Sequence, residues 1–233
     1  MIDYSQRAFI FDMDGTLVDN MRFHGAAWQQ MLLENGVETD AREFLIKTAG
    51  KTNREIIPHF FKDASEEKLL ELGTRKETIY RELFLSERRA IRGAIEFLEA
   101  AKALGVKMAV ATAAPVANME FILDGLDLRR FFDAITTAAD VSHGKPNPEV
   151  FLKSAEKLNV EPKNCLVFED AVNGFEAAHR AGMQSIGIAT VNSIEDILQL
   201  ASVVEAHADF GELKPRELIE KYLPEGETQT ASG

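Results

Sequence analysis

The chain has 233 residues, of which 45% are hydrophobic and 27% are charged, a balance typical of a globular protein with one large or two modest domains. Its 26 basic and 38 acidic residues give a formal net charge of −12. This charge argues against binding to nucleic acid or to an anionic membrane surface as the main task. Any site for a phosphorylated ligand would have to be locally positive.

Neither membrane insertion nor secretion is predicted. No apolar run approaches the roughly 18 residues of a membrane span, and residues 1–7 lack the basic-then-apolar pattern of a secretory signal. Cys165 is the sole cysteine, which excludes an internal disulfide, and its apolar surroundings predict a packed core thiol. We therefore expect a cytoplasmic, monomeric protein.

Short apolar segments alternate along the chain with amphipathic stretches at helical spacing. The predicted strands are Ala8–Phe11, Lys107–Ala111, Ala134–Thr137, Cys165–Phe168 and Gln184–Ile188. The predicted helices that alternate with them are Gly93–Leu104, Val116–Leu126, Pro148–Leu158 and Ala171–Ala181. Gly105 and Gly182 stand where helix C-terminal glycines are expected. This alternation predicts an α/β fold, a Rossmann-like, doubly wound parallel sheet with helices on both faces.

One region interrupts the alternation. Between about residues 21 and 89 no convincing strand is found, whereas Met21–Asn35 and Glu66–Leu85 carry apolar residues at helical spacing. An insert of about 70 helical residues after the first strand predicts a separate α-helical cap. It would be a lid hinged near Val18–Asn20 and Arg89–Arg92, or alternatively a set of helices packed rigidly on the sheet.

The predicted domain bounds follow from this insert. The core comprises residues 1–18 and 91–223, and the cap comprises residues 19–90. Residues 224–233 are polar, with Glu, Thr, Gln, Ser and Gly, and are expected to be disordered.

Asp12 and Asp14, one residue apart, directly follow the first strand. Ionised carboxylates this close repel one another unless a hard cation such as Mg²⁺ lies between them. The pairing indicates a metal-assisted site in which one carboxylate is free to attack an electrophile.

Three further motifs fall at the ends of later strands or just before a helix. Thr112 ends the second strand, Lys145 lies in a Gly-Lys-Pro-Asn-Pro loop, and Glu169 and Asp170 end the fourth strand. In a parallel sheet these ends converge on one crevice. Each motif alone is weak, since the acids could cap a helix and the lysine could be solvated; their order and placement carry the inference.

With these residues the chain resembles the haloacid dehalogenase superfamily of phosphohydrolases and phosphomutases. The resemblance rests on Asp-Met-Asp-Gly-Thr at 12–16, and on Gly-Lys-Pro-Asn-Pro at 144–148 followed by an apolar run into Glu-Asp at 169–170. It extends to about Leu223, and the helical insert looks like the family's small α-helical cap.

The resemblance implies a role for each acidic residue. Asp12 would be the nucleophile that forms an aspartyl-phosphate. Asp14 would be the general acid and base, and its backbone carbonyl would bind the metal. Asp170 would hold Mg²⁺ together with Asp12, and Glu169 would assist directly or through water.

The same resemblance implies how phosphate is bound. Thr112 and the Ala113 backbone N–H would bind phosphate oxygens. Lys145 would screen the charges of Asp12 and of the transferring phosphoryl group.

Within the family, the chain is most similar to β-phosphoglucomutase and the sugar phosphatases near it. His24 and Trp28 stand at the offsets those proteins use for an inward-facing His and Trp, one helical turn apart. His24 is expected to face the site, whereas Trp28 fits either cap core or substrate platform. Lys51 and Lys76, the latter expected near the start of a long helix, could supply positive charge or be solvated or salt-bridged.

Two departures affect the second phosphate site of the mutases. Their pattern has Gly-x-x-Arg in the cap, whereas here Asn53 is the third residue after Gly50 and Arg54 comes one place later. One residue turns a helical side chain by about 100°, so Arg54 is expected to point away. Ala114-Pro115 stands where the mutases have Ser-Lys.

We therefore predict a Mg²⁺-dependent phosphatase acting on a small phosphorylated metabolite, with a sugar phosphate as the first choice. The alternative is β-phosphoglucomutase, which interconverts β-glucose 1-phosphate and glucose 6-phosphate and needs the second phosphate site. Pyrophosphate or a nucleotide is not excluded by the cap. Asp14 argues against dehalogenation, whose leaving group needs no proton, and Asp12 and Lys145 argue against a purely binding role.

Overall fold

The computed structural model describes residues 3–40, 44, 48 and 51–224. Within them the strands are β1 (Ala8–Phe11), β2 (Lys107–Ala111), β3 (Ala134–Thr136), β4 (Cys165–Glu169), β5 (Gln184–Ile188) and β6 (Val203–His207). They form one sheet in the order β3-β2-β1-β4-β5-β6, and each neighbouring pair is parallel.

Helices precede, connect and follow these strands. Within the described residues they are α1 (Met21–Glu34), α2 (Asn53–Ile56), α3 (Glu66–Phe84), α4 (Ala94–Leu104), α5 (Val116–Leu123), α6 (Glu149–Leu158), α7 (Val172–Arg180), α8 (Ile194–Ile197) and α9 (Pro215–Tyr222). Gly105 ends α4 with a positive φ of 79° and Gly182 follows α7 with a φ of 73°, which confirms both predicted helix ends.

Both faces of the sheet are buried, because successive side chains of a strand point to opposite faces. In β1, Phe9 and Phe11 belong to a cluster that includes residues of α4 and α9. Ala8 and Ile10 belong to a second cluster, with residues of α6 and α7. The predicted α/β fold, with a Rossmann-like, doubly wound parallel sheet, is confirmed.

The structure adds one strand to the five that were predicted. β6 has the sequence Val-Val-Glu-Ala-His, and it pairs with β5 at the edge of the sheet. Its residues are only half-buried, so its sequence shows none of the continuous apolar character that marks the central strands. The structure also adds the helices α8 and α9, and some element ends differ: β4 extends to Glu169, and α5 ends at Leu123 rather than Leu126.

The helical segment, residues 19–90, contains α1, α2 and α3, and no strand within its described residues. The long helices α1 and α3 pack against each other, and the N-terminus of α3 is capped by Ser65, whose hydroxyl accepts the Lys68 N–H. The two connections to the sheet meet, since Val18 and Ala90 form an antiparallel bridge. Lys76 lies midway along α3 and not near its start, which corrects that expectation.

The C-terminal end of the described chain packs back on the start of β1. Arg7 donates to the Leu223 carbonyl at 2.6 Å and to the Pro224 carbonyl at 2.9 Å. Residues 225–233, which carry most of the predicted disordered tail, lie outside the described residues. Among the described helices, none combines the length and apolar character that a bilayer-crossing segment requires.

An aromatic cluster anchors α4 to the sheet. The Phe97 ring centroid lies 5.6 Å from that of Phe9, 5.2 Å from that of Phe168 and 5.4 Å from that of Phe210. Phe97 is 2% exposed, so its truncation would open a cavity that its neighbours cannot fill.

We expect Phe97→Ala to lower the free energy of unfolding by about 3–5 kcal/mol, and Phe97→Leu to lower it less. Leu70→Ala, at a position 69% exposed, is the control and should change it by about 0.5 kcal/mol or less. The measurement is urea unfolding followed by the fluorescence of Trp28. A loss below about 1 kcal/mol for Phe97→Ala would contradict this account of the core.

Candidate active site

Polar side chains meet at the carboxyl ends of the central strands. Asp12 directly follows β1, and its N–H donates to the Phe168 carbonyl of β4 at 2.9 Å. Glu169 ends β4, Asp170 follows it, and Thr112 follows β2. Because parallel strands finish at the same edge of a sheet, these side chains converge there.

Lys145 reaches the same place from the loop before α6. Its Nζ lies 2.5 Å from Asp12 Oδ1 and 2.5 Å from Glu169 Oε1, and the residue is 2% exposed. The loop also contacts the helical segment, since the Gly144 N–H donates to Glu55 Oε1 at 3.2 Å. Charge-assisted hydrogen bonds therefore hold the ammonium group between two strand ends.

The site carries more negative than positive charge. Burial raises the pKa of Asp12 to about 8, with Glu169 and Asp14 adding to the rise and Lys145 opposing it. Burial, Glu169 and Asp12 raise the pKa of Asp170 well above its ordinary value. Burial alone would lower the pKa of Lys145, but Asp12 and Glu169 outweigh it and raise that pKa. A bound cation would offset the remaining negative charge.

The oxygens present fit such a cation. Asp170 Oδ1 accepts from the Thr16 hydroxyl at 3.0 Å, whereas its Oδ2 is buried with no hydrogen-bond partner in the described part of the chain. A Cβ on Gly15 would lie 2.3 Å from that Oδ2. Ligand oxygens of Asp12, Glu169 and Asp170 lie within 4.8 Å of one another. An all-oxygen donor set suits Mg²⁺ or Ca²⁺ better than zinc.

Glu169 is already engaged on both of its oxygens. Oε1 accepts from Lys145, and Oε2 accepts the backbone N–H groups of Asp170 at 2.6 Å and Ala171 at 2.8 Å. A Cβ on Gly174 of α7 would lie 1.8 Å from Glu169 Oε1. Both oxygens of Glu169 therefore already have hydrogen-bond donors, whereas Asp170 Oδ2 has none in the described part of the chain.

Asp14 contacts the start of the helical segment. Its Oδ1 accepts from Asn20 Nδ2 at 2.5 Å and lies 3.4 Å from His24 Nε2. Asn20 also donates to the Tyr80 hydroxyl at 2.6 Å. The His24 ring stacks on that of Tyr80, with centroids 3.8 Å apart, so the imidazole is held beside the Asp14 carboxylate.

Lys76 lies on the far side of His24. Its Nζ is 2.8 Å from His24 Nδ1 and 3.0 Å from Glu77 Oε1, and 5.1 Å from the centroid of the Trp28 ring. An ammonium group only donates, so Nδ1 accepts and Nε2 carries the proton that points to Asp14. Lys76 is thus salt-bridged and buried, one of the two alternatives that the sequence left open.

These side chains enclose a cavity of about 100 Å³. The predicted site residues on its wall are Asp12, Asp14, His24, Trp28, Lys51, Asn53, Lys76, Thr112, Ala113, Lys145, Glu169 and Asp170. Arg54 is exposed and absent from this described wall, in line with its expected turn away from the site. Gly50 lies outside the described residues.

Sequence reasoning missed several polar residues of this region. Glu77 and Asn118 lie on the cavity wall. Thr16 donates to Asp170, and Asn20 donates to Asp14. Glu77 follows Lys76 on a helix, and such a pair ordinarily indicates a solvated face. Asn20 could have been found from the sequence, because it stands just before an amphipathic helix and only six residues after Asp14.

Comparison with known proteins agrees with this geometry. Residues 9–188 match the family model described as haloacid dehalogenase-like hydrolase. A phosphorylated carbohydrates phosphatase from Thermotoga maritima is 33% identical over 217 residues, which cover 91% of this chain and 96% of that protein. A fructose-1-phosphate phosphatase from Escherichia coli strain K12 is 32% identical over 187 residues, which cover 77% and 94%.

A solved structure shows the same architecture. A β-phosphoglucomutase from Clostridium difficile aligns with a TM-score of 0.81 at 29% identity, covering 93% of this chain and 97% of that one. The family match includes β2 to β5, all but the first residue of β1 and all the buried carboxylates of the site, and it spans more than half of the sequence. The chain therefore belongs to the haloacid dehalogenase-like hydrolases, as its motifs predicted.

Proposed function

We propose that this enzyme is a Mg²⁺-dependent phosphatase that hydrolyses a small phosphorylated carbohydrate through an aspartyl-phosphate on Asp12. The observation that carries the proposal is the buried group of Asp12, Glu169 and Asp170 with Lys145 clamped between two of them. Phosphoryl transfer depends on positioning and on stabilising charge, and this group offers a nucleophile, a fixed ammonium and oxygens for a cation.

Asp12 and Asp170 would hold the Mg²⁺, and the backbone carbonyl of Asp14 would complete the protein ligands. The ion would supply positive charge that screens the carboxylate nucleophile and the phosphate oxygens. Lys145 adds a second, permanent positive charge at Asp12 Oδ1, 2.5 Å away. Glu169 keeps that ammonium in place.

The first step is attack by an Asp12 carboxylate oxygen on the phosphorus of the ester. As the new oxygen–phosphorus bond forms, the bond to the leaving oxygen breaks, and Asp14 donates a proton to that oxygen. Thr112 and the Ala113 N–H, both on the cavity wall, would bind phosphate oxygens during the transfer.

The second step releases phosphate. Asp14 takes a proton from a water molecule, the resulting hydroxide attacks the phosphorus, and the bond to Asp12 breaks. Asn20 and His24 fix the Asp14 carboxylate from the helical segment. Asp14 ends the cycle protonated, as it began, and Asp12 is free again.

We further propose that residues 19–90 form a cap that closes over a core of residues 1–18 and 91–223. Support comes from the cavity wall, which combines side chains of α1, α2 and α3 with side chains from the strand ends. The Gly144–Glu55 hydrogen bond joins the two parts, one residue before Lys145. Opening of the two connections near Val18 and Ala90 would admit substrate.

The substrate class rests on the relatives and on the cavity. The aligned phosphatases act, by their names, on phosphorylated carbohydrates and on fructose 1-phosphate. The alternative, β-phosphoglucomutase, is favoured by the solved structure of that name. Against it, Arg54 is exposed, and Ala114 and Pro115 line the cavity where a mutase has Ser-Lys.

The first test is release of inorganic phosphate from a panel of sugar monophosphates with Mg²⁺. It includes β-glucose 1-phosphate with and without a trace of the bisphosphate. We expect phosphate from at least one sugar and no turnover by Asp12→Asn, which keeps the size of the side chain but not its nucleophilicity. Bisphosphate-dependent formation of glucose 6-phosphate would instead establish a mutase.

A second test separates the two steps. With an aryl phosphate, whose leaving group needs little proton assistance, Asp14→Asn should still form the phospho-enzyme slowly but fail to hydrolyse it. Intact-protein mass should then show the phosphorylated chain, and aryl alcohol should appear in a burst of about one equivalent. Steady-state turnover equal to that of the native enzyme would remove Asp14 from the acid–base role.

A third test addresses the cation without an activity assay. Mg²⁺ at 100 times its dissociation constant should stabilise the protein by about 2.7 kcal/mol, or roughly 5–10 °C in the unfolding midpoint. Asp170→Asn should lose this shift. In the absence of metal, this variant should be no less stable than the native protein. The reason is that burial disfavours the charged form of Asp170, as the raised pKa of this acid indicates.

The control for the cation test is Asp63→Asn, at an exposed position outside the site. This variant should keep the full Mg²⁺-dependent shift. If Asp170→Asn also kept it, the cation would bind elsewhere.

A further inference from the structure

Glu77 is a buried acid on the cavity wall that the mechanism does not use. It lies on α3, is 5% exposed and borders the cavity beside Lys76. Its carboxylate is reached from three directions. Oε1 accepts from Lys76 at 3.0 Å and from Asn53 Nδ2 at 2.7 Å, and Oε2 accepts from Asn118 Nδ2 at 2.6 Å.

These contacts keep Glu77 ionised. Burial alone would raise its pKa, but the charge of Lys76 and the hydrogen bonds from Asn53 and Lys76 lower it to about 2. A permanent negative charge therefore stands next to the one ammonium that α3 places on the described cavity wall. Lys76 and Glu77 together contribute no net charge there.

Successive side-chain contacts show where Lys76 and Glu77 lie relative to Asp14. His24 Nε2 is 3.4 Å from Asp14, His24 Nδ1 is 2.8 Å from Lys76 Nζ, and that Nζ is 3.0 Å from Glu77. A substrate whose phosphate lies at Asp12 would extend its remaining atoms from Asp14 towards this far end of the cavity.

We propose that Glu77 determines specificity by making the far end of the cavity accept uncharged, hydroxyl-bearing groups and reject a second phosphate or a carboxylate. A second anion would meet a buried carboxylate and a lysine already neutralised by it, and like charges brought together in a desolvated site repel strongly. A hydroxyl can instead donate to Glu77 Oε2, which accepts from one donor among the described residues, and the amides of Asn53 and Asn118 are close by.

This inference rests on the proposed phosphatase function and narrows its substrates to monophosphates of neutral polyols and sugars. It also adds a physical reason to expect no mutase activity, since a bisphosphate intermediate would have to place its second phosphate beside Glu77.

A purely structural role for Glu77 makes a different prediction. The residue links α3 to α2 through Asn53 and to α5 through Asn118. If it served only as that link, its replacement would weaken the binding of every substrate alike. The ratio of activities between a neutral and a charged substrate would then stay constant, and this ratio is the decisive quantity.

The experiment uses two phosphomonoesters with the same six-carbon chain, sorbitol 6-phosphate and 6-phosphogluconate, which differ by a carboxylate at the far end. We expect kcat/KM of the native enzyme to favour the neutral ester by about tenfold or more. Glu77→Gln should reduce this preference by about tenfold, mainly through a lower KM for the charged ester. Glu71→Gln, at an exposed acid on the same helix, is the matched control and should leave the preference unchanged.

Equal activity of the native enzyme on both esters would overturn the proposal without any variant, so it stays testable even if Glu77→Gln fails to fold. An unchanged preference in a Glu77→Gln protein with native circular dichroism would overturn it as well. If the native enzyme with Mg²⁺ releases no phosphate from these or any other sugar phosphate, the proposed phosphatase function fails, and this inference fails with it.

Discussion

The arrangement of the site depends on an excess of buried negative charge at the ends of β1 and β4. Lys145 offsets part of that charge from the loop before α6, where its ammonium contacts both Asp12 and Glu169. Asp170 keeps a buried oxygen without a hydrogen-bond partner in the described structure. An unpaired polar atom of this kind lowers the stability of the folded protein. The rest of the fold therefore outweighs the destabilising effect of this cluster, and the cation that we propose would offset its negative charge.

A second polar chain connects the helical segment to the same place. It runs from Asp14 through His24 and Lys76 to Glu77, and then reaches α5 at Asn118. The positive charge of Lys76 stands between the acids Asp14 and Glu77 in this network, and each group is hydrogen-bonded. These interactions offset most of the free-energy cost of burying the charges. One network therefore holds the Asp14 carboxylate, which we propose as the acid–base group, and places the Glu77 carboxylate on the far wall of the cavity.

Much of the core could be predicted because its signals are local. β1 and β4 are continuous apolar runs, and the acids directly after them share one edge in any parallel sheet. β6 was missed because an edge strand needs no such run. Glu77 was missed because its burial depends on how α3 meets α2 and α5. A helix pattern shows which residues share a face, but not which charged pair a third helix will cover.

The strand order has a consequence for synthesis of the chain. β1 lies in the interior of the sheet, between β2 and β4, yet β4 begins only at Cys165. While the chain emerges from the ribosome, one hydrogen-bonding edge of an apolar strand therefore stays unpaired until most of the protein has been made. Such an edge is a template for wrong pairing. The nascent chain thus carries this aggregation risk until the strand that also brings Glu169 to the buried acidic cluster has been made.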